Sequence, residues 1–233
     1  MVVVCLGLGV FADTPKQSEL SVKALQFFAK IEAQSFDADL KRVRLPKVNA
    51  EFKAQVLAQL ANTEIVKPSE KMQAKLAALT PVLQYHERDA VREIKVVNTR
   101  EAFVGVQGRS VLLISENMLR QLSIEELQAV VAHELGHEYF WGELMEARQQ
   151  KQHAMMREIE LRCDGIAVIA LKRLGIEAAH LISALTQMRA FNARVVSTDM
   201  RPYPESKERF EFIRAMGEMV KAREAAERVA ARN

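Results

Sequence analysis

Leu122-Ser-Ile-Glu-Glu-Leu-Gln-Ala-Val-Val-Ala-His-Glu-Leu-Gly-His137 is the stretch on which the reading of this chain turns. It opens with Ser123-Ile-Glu-Glu126, a capping box: the serine hydroxyl and the glutamate carboxylate satisfy each other's backbone N–H groups and start a helix. Leu127, Val130, Val131 and Leu135 follow at helical spacing, so one face is buried. On that helix His133 and His137 lie four residues apart, on one face, and can reach a single metal ion. Glu134 sits one step round, where its carboxylate can act on a water instead of the metal. Two imidazoles in this arrangement suit zinc, which polarises a carbonyl and brings the pKa of a water towards neutrality. Ala132 and Gly136 are small, which permits close packing beside the ion.

A hydrolytic zinc needs a third protein ligand and an open position. The acidic residues downstream are Glu138, Glu143, Glu146, Glu158 and Glu160. Glu138 and Glu143 are too close along the chain to fold back easily onto the same ion. Glu160 begins Glu160-Leu-Arg-Cys-Asp164, inside a run with helical periodicity (Met156, Ile159, Cys163, Ile166, Ala167, Ala170). Glu160 and Asp164 therefore project from one face of a second helix. One carboxylate can ligate zinc while the other accepts the N–H of a ligand histidine and fixes its tautomer. Asp164 stands in an apolar stretch, and a carboxylate buried there needs a partner.

These segments, with Ser110-Val-Leu-Leu-Ile-Ser115 before them, resemble the HtpX and CAAX-prenyl-protease type of zinc metallopeptidase. That group is a branch of the gluzincins, in which HExxH is joined by a downstream glutamate. The likeness covers roughly residues 92–215. It implies one Zn2+ per chain held by His133, His137 and Glu160, with Glu134 as general base and Asp164 behind a ligand histidine. Cys163 replaces the alanine usual in the second motif, one small residue for another, and reads as inert packing. The implied fold class is α+β and mostly helical, a zincin-like domain with a small antiparallel or mixed sheet beside the HExxH helix.

Two further features follow from the resemblance. Members bind extended peptide along an edge strand before the catalytic helix. Glu93–Asn98, Ala102–Val106 and Ser110–Ser115 have the strand pattern there, which makes Ala102, Phe103 and Val104 candidate substrate-binding residues. Members also often carry a His-Pro pair six residues before an arginine. Counting back from Arg209 finds Tyr203-Pro204, and a phenol there can donate to a tetrahedral oxyanion. Arg201 and Arg209 are other donors within reach of that role.

At 233 residues and a net charge of +3, from 33 basic and 30 acidic side chains, the chain is long enough for a full core and has no basic stripe for nucleic acid. No run reaches the roughly 18–20 apolar residues of a membrane span, so the expectation is a soluble enzyme with at most peripheral membrane contact. Met1–Ala12 is apolar and ends Val10-Phe11-Ala12, which suits a cleaved leader and an exported, periplasmic or secreted protein. If it is not a leader, the setting is cytoplasmic. Helices are expected over Glu19–Gln34 (apolar face Val22, Leu25, Phe28, Ile31), Ala50–Ala61, Glu70–Leu83 with Pro81 kinking or ending it, Ala178–Phe191 and Glu205–Ala230, with Gly175 as a stop. Residues 13–90 then form a helical segment packed on a catalytic domain of residues 91–233. Tyr139-Phe-Trp141 reads as a continuation of the catalytic helix, and His86, His153 and His180 as surface residues. The function indicated is a zinc endopeptidase of unfolded or extended polypeptides. The competing readings are a zinc-binding adaptor that does not turn over and a hydrolase of non-peptide amides.

Overall fold

The structure, a computed structural model, describes residues 18–30, 47–60, 63–88, 92–195 and 203–230. Met1–Ala12 and Arg201 lie outside these. The elements in chain order are helices α1 (Glu19–Lys30), α2 (Ala50–Gln59), α3 (Glu70–Ala77) and α4 (Thr80–Tyr85), then strands β1 (Glu93–Val97), β2 (Val104–Gln107) and β3 (Val111–Ser115), then helices α5 (Glu116–Gln121), α6 (Ile124–Gly136), α7 (Trp141–Gln149), α8 (His153–Arg173), α9 (Ala179–Asn192) and α10 (Ser206–Ala230). This is a mostly helical α+β fold with one small mixed sheet.

The centre of the molecule is the pair α6 and α8, each buried along most of its length. Their approach is set by Gly136. A Cβ there would stand 3.0 Å from the Cys163 Cα and 3.1 Å from its carbonyl oxygen, so the two backbones are as close as a glycine allows. α1 lies on α8 in the same manner, with the Phe28 ring over Gly165. The buried face of α1 is Ser21, Ala24 and Phe28, while Val22 is exposed. That rotates the helix from the apolar stripe expected of it, because small residues permit the close approach to α8. One hydrophobic core joins Ala24, Phe28, Leu79 and Val82 to the buried residues of α6, α8, α9 and α10.

In the sheet, β3 is central, parallel to β1 and antiparallel to β2. β2 and β3 are joined by the three residues Gly108, Arg109 and Ser110, the first two with positive φ (52° and 55°), and Ser110 N–H donates to Gln107 O at 3.1 Å. The outer edge of β1 is occupied, since Val66 N–H donates to Val96 O and Asn98 N–H to Glu64 O, both at 2.9 Å. β2 forms the other edge.

Two helix boundaries differ from expectation. Pro81 starts a helix instead of ending one: α3 stops at Ala77 and the proline sits in the first turn of α4, where its missing N–H leaves no bond unmade. The catalytic helix stops at Gly136, and Tyr139 and Phe140 lie in a turn before α7. The chain must turn there to carry Glu138 towards the arginines described below. At the end of α8, Gly175 (φ 72°) terminates the helix as expected, with Ile176 N–H bonded to Leu171 O at 2.8 Å and Gly175 N–H to Lys172 O at 3.2 Å.

Candidate metal centre

The capping box that opens α6 is present in both directions: Ser123 N–H donates to Glu126 Oε2 at 2.8 Å and Glu126 N–H to Ser123 Oγ at 3.1 Å. Glu126 Oε1 also accepts from Ser183 Oγ and Gln187 Nε2, which ties the start of the helix to α9. Held at this end and packed on α8 at the other, α6 delivers His133 and His137 opposite Glu160.

His133, His137 and Glu160 each offer one ligand atom, and these atoms lie within 4.8 Å of one another. His133 Nε2 is 3.4 Å from Glu160 Oε2, and His137 Nε2 is 3.6 Å from Glu160 Oε1. A tetrahedral zinc with bonds of about 2.0–2.1 Å separates its ligand atoms by roughly 3.4 Å. The donor set and its spacing thus fit zinc. The other acidic side chains are committed elsewhere. Glu143 and Glu158 both bind Arg162, Glu146 accepts from Gln150, and Glu138 is surrounded by arginines.

Behind the triad, His133 Nδ1 is 2.8 Å from Asp164 Oδ1, so the ring presents Nε2 to the ligand cluster. Asp164 is fully buried and has a second partner: Arg209 donates through Nε to Oδ2 at 2.7 Å and through Nη2 to Oδ1 at 2.9 Å. The second nitrogen of His137 faces sulfur, with Cys163 Sγ 3.2 Å from Nδ1. Cys163 is fully buried, as expected of a packing residue, and it also touches a candidate ligand. Burial, with the Glu160 and Asp164 carboxylates beside it, holds it firmly as the thiol, and its sulfur orients a candidate ligand.

The electrostatics separate the two carboxylates by role. Burial alone would raise Glu160, but His137, His133 and Arg209 outweigh it and hold the group down at about 2, ionised and ready to bind a cation. Glu134 goes the other way. Burial, aided by the Glu160 charge, lifts it to about 7 against the pull of His133, so it is balanced between base and acid near neutrality. Burial and Arg209 oppose charge on His133, yet Asp164 and Glu160 prevail and raise it to about 9. Burial lowers His137 to about 4.

Tyr203, just before α10, is 41% exposed, and its phenol is raised by burial and by the Glu160 and Glu134 carboxylates close to it. Arg148, exposed on α7, acts on Glu134, His137 and Tyr203 through its charge. Sequence reading missed Arg148, since nothing in the pattern of a polar helix shows which of its cations acts on a site. Arg209 was read as a possible oxyanion donor. It is buried and donates to Asp164, and its Nη2 also lies 3.2 Å from His133 Nε2 and 3.7 Å from Glu160 Oε2.

Of the residues expected to bind substrate, Ala102 and Phe103 are engaged within the fold. Ser115 N–H donates to Phe103 O at 3.0 Å and Phe103 N–H to Ser115 Oγ at 3.0 Å, so Phe103 is spent on β3. Ala102 is clamped by one side chain, its N–H donating to Asn192 Oδ1 (2.8 Å) and its carbonyl accepting from Asn192 Nδ2 (2.9 Å). By the alternation of an antiparallel ladder, the outward main-chain groups of β2 are then those of Val104 and Val106. The free edge begins at Val104, not Ala102. His86 was expected at the surface and is buried, because its Nδ1 lies 2.9 Å from the Tyr139 hydroxyl in the turn after the catalytic helix.

A helix bearing His133, Glu134 and His137, a carboxylate from the next long helix and a sheet alongside define a zincin-like metallopeptidase domain. Residues 66–140, which carry the HExxH helix, match Peptidase family M48. No curated protein matches the chain. The matched residues end before Glu160, so its place rests on the geometry above. No helix among the described residues is long and apolar enough to cross a membrane.

Proposed function

We propose that the chain is a zinc endopeptidase of the HtpX and CAAX-protease type acting on unfolded or extended polypeptide. The observation that carries this is the convergence of one ligand atom each from His133, His137 and Glu160 within 4.8 Å of one another, with Glu134 next to His133 on α6. An ion held for structure alone has no use for a further carboxylate that burial raises to about 7. Zinc, when bound, supplies a Lewis acid for the scissile carbonyl and acidifies water at its open position.

The residues then divide the work. Glu134 accepts a proton from the attacking water and returns it to the leaving amine, a shuttle that its near-neutral pKa suits in both directions. Asp164 fixes His133, and Cys163 contacts His137, so neither ring must be reoriented during turnover. Tyr203, its phenol raised and so protonated at neutral pH, donates a hydrogen bond to the oxyanion. Val104 and Val106 pair with the substrate main chain as an added strand, which gives affinity with little sequence preference. Export would place this activity among misfolded secreted proteins.

The test is cleavage of casein by purified protein beside Glu134→Ala and Tyr203→Phe at matched zinc content. Glu134→Ala is expected to lose activity by at least about 10²–10⁴ with zinc retained, and Tyr203→Phe to lower kcat by about 10²-fold with little change in KM. Wild-type protein that binds one zinc and cleaves nothing would overturn the reading. An unaltered kcat in Tyr203→Phe would remove that residue alone.

A further inference from the structure

Glu138 follows His137 directly and turns away from the metal ligands into a second cluster. Its carboxylate is 1% exposed, and its Oε2 accepts from Arg88 Nη2 and from Arg109 Nε, each at 3.1 Å. Arg92 reaches only Oε1, at 3.5 Å, too far for a good hydrogen bond. The Arg92 side chain is wholly buried, and its Nε, Nη1 and Nη2 have no hydrogen-bond acceptor among the described residues. Ser110 Oγ, next along the chain from Arg109, is also buried without a partner among the described residues, as is Nε2 of His86.

The chemistry is one-sided. Burial lowers Arg92 to about 10 despite Glu138, so the guanidinium remains charged at neutral pH. Its one carboxylate is already shared with two other arginines. His86 adds no further positive charge, because burial and the neighbouring Arg92 and Arg88 keep its ring neutral. A buried cation without a full counter-charge is strongly disfavoured, and a water would accept hydrogen bonds without supplying that charge. Arg109 also carries a positive φ (55°), uncommon for a residue with a side chain, in a hairpin that brings its guanidinium to Glu138.

We propose that the Arg88–Arg92–Arg109–Glu138 cluster binds a small inorganic anion, of halide size, on the guanidinium of Arg92. The size follows from enclosure: the Arg88, Arg92 and Glu138 side chains are 3%, 0% and 1% exposed, which leaves no opening for an organic acid. Arg109, 19% exposed, is the point of entry. The anion completes the charge balance of the turn that follows His137, and so steadies the end of the HExxH helix.

Trp141 is the only tryptophan in the chain, and the Arg109 guanidinium lies 5.4 Å from its ring centroid, so a heavy halide in the cluster has a local reporter. The zinc-loaded full chain is titrated with sodium bromide at constant ionic strength, with gluconate as the balancing anion. The expected result is saturable quenching of Trp141 that chloride reverses. Arg92→Met should lose the saturable part, and Glu138→Gln, which removes the competing carboxylate, should bind bromide at least threefold more tightly. Linear quenching with one slope in wild type and Glu138→Gln overturns the proposal. If Arg92→Met does not fold, the Glu138→Gln comparison decides alone, and an unchanged bromide affinity there also overturns it.

Discussion

His133 has to meet two demands at once, presenting Nε2 to the ligand cluster and keeping Nδ1 on Asp164 at 2.8 Å. Without metal the same two carboxylates raise it to about 9, so zinc must displace a proton from it at any lower pH. Apparent zinc affinity is therefore expected to strengthen about tenfold per pH unit up to about pH 9, measured by titration against a competing chelator. The metal-free protein behaves in the opposite sense. A histidine raised from 6.5 to about 9 on folding contributes stability that is fully present below pH 6.5 and is lost as pH rises through 9. Asp164→Asn removes the raising charge and leaves Arg209 buried without its partner. It should flatten the slope above neutrality and weaken zinc binding by about 10–100-fold. An unchanged slope in Asp164→Asn would show that Asp164 is not what raises His133.

At the scale of elements, the distance between α6 and α8 decides whether three ligands converge. Gly136 and Cys163 are in backbone contact, and a methyl group at Gly136 would meet the Cys163 Cα at 3.0 Å and its Cβ at 3.1 Å. Backbone cannot rotate away as a flexible side chain can. Gly136→Ala should force the helices apart by a few tenths of an ångström, destabilise the fold by about 1–3 kcal/mol and weaken zinc binding more than it changes helix content. Thermal melts by circular dichroism with and without zinc check this; equal loss of stability in both states would mean the ligands still converge. Residue 136 also ends the helix, and Glu138 uses the turn that follows to reach Arg88 and Arg109. The second histidine of the motif consequently sits at the C-cap, with Cys163 as its neighbour on α8.

Across the whole molecule, α1 and α10 close over the face of α8 that α6 leaves open. Phe28 is fully buried against Gly165, one residue from Asp164, so the N-terminal helix supports the second metal helix directly. Phe28→Ala is expected to cost about 3–5 kcal/mol of unfolding free energy in urea denaturation. A cost below about 1 kcal/mol would mean that α1 merely lies on the surface. Asn192 from α9 seals the strand edge at Ala102, and residues 64–66 seal β1, so among the described residues Val104–Gln107 is the sheet edge left unpaired.

Local order was legible from the chain itself. The capping box, the i,i+4 histidines, the Glu160–Asp164 pair and the glycine stop at 175 each depend on contacts within a few residues, and the backbone forms them wherever the helix forms. The need for a partner at Asp164 was also legible, because a carboxylate in an apolar run must be compensated, but its identity was not. Arg209 lies 45 residues away on another helix, and no periodicity links the two. The same holds for Cys163 against His137, for the Asn192 clamp that moved the free edge to Val104, and for His86, whose charged sequence neighbours concealed a buried ring. The arginines around Glu138 come from two places in the chain, Arg88 and Arg92 from one and Arg109 from the other, and meet on one carboxylate only once the sheet has packed against the turn after α6. Residue type and spacing determined which groups could ligate zinc. Packing at long sequence separation decided which atoms each of them faces, because burial removes water and makes every polar group find its partner wherever the fold brings one.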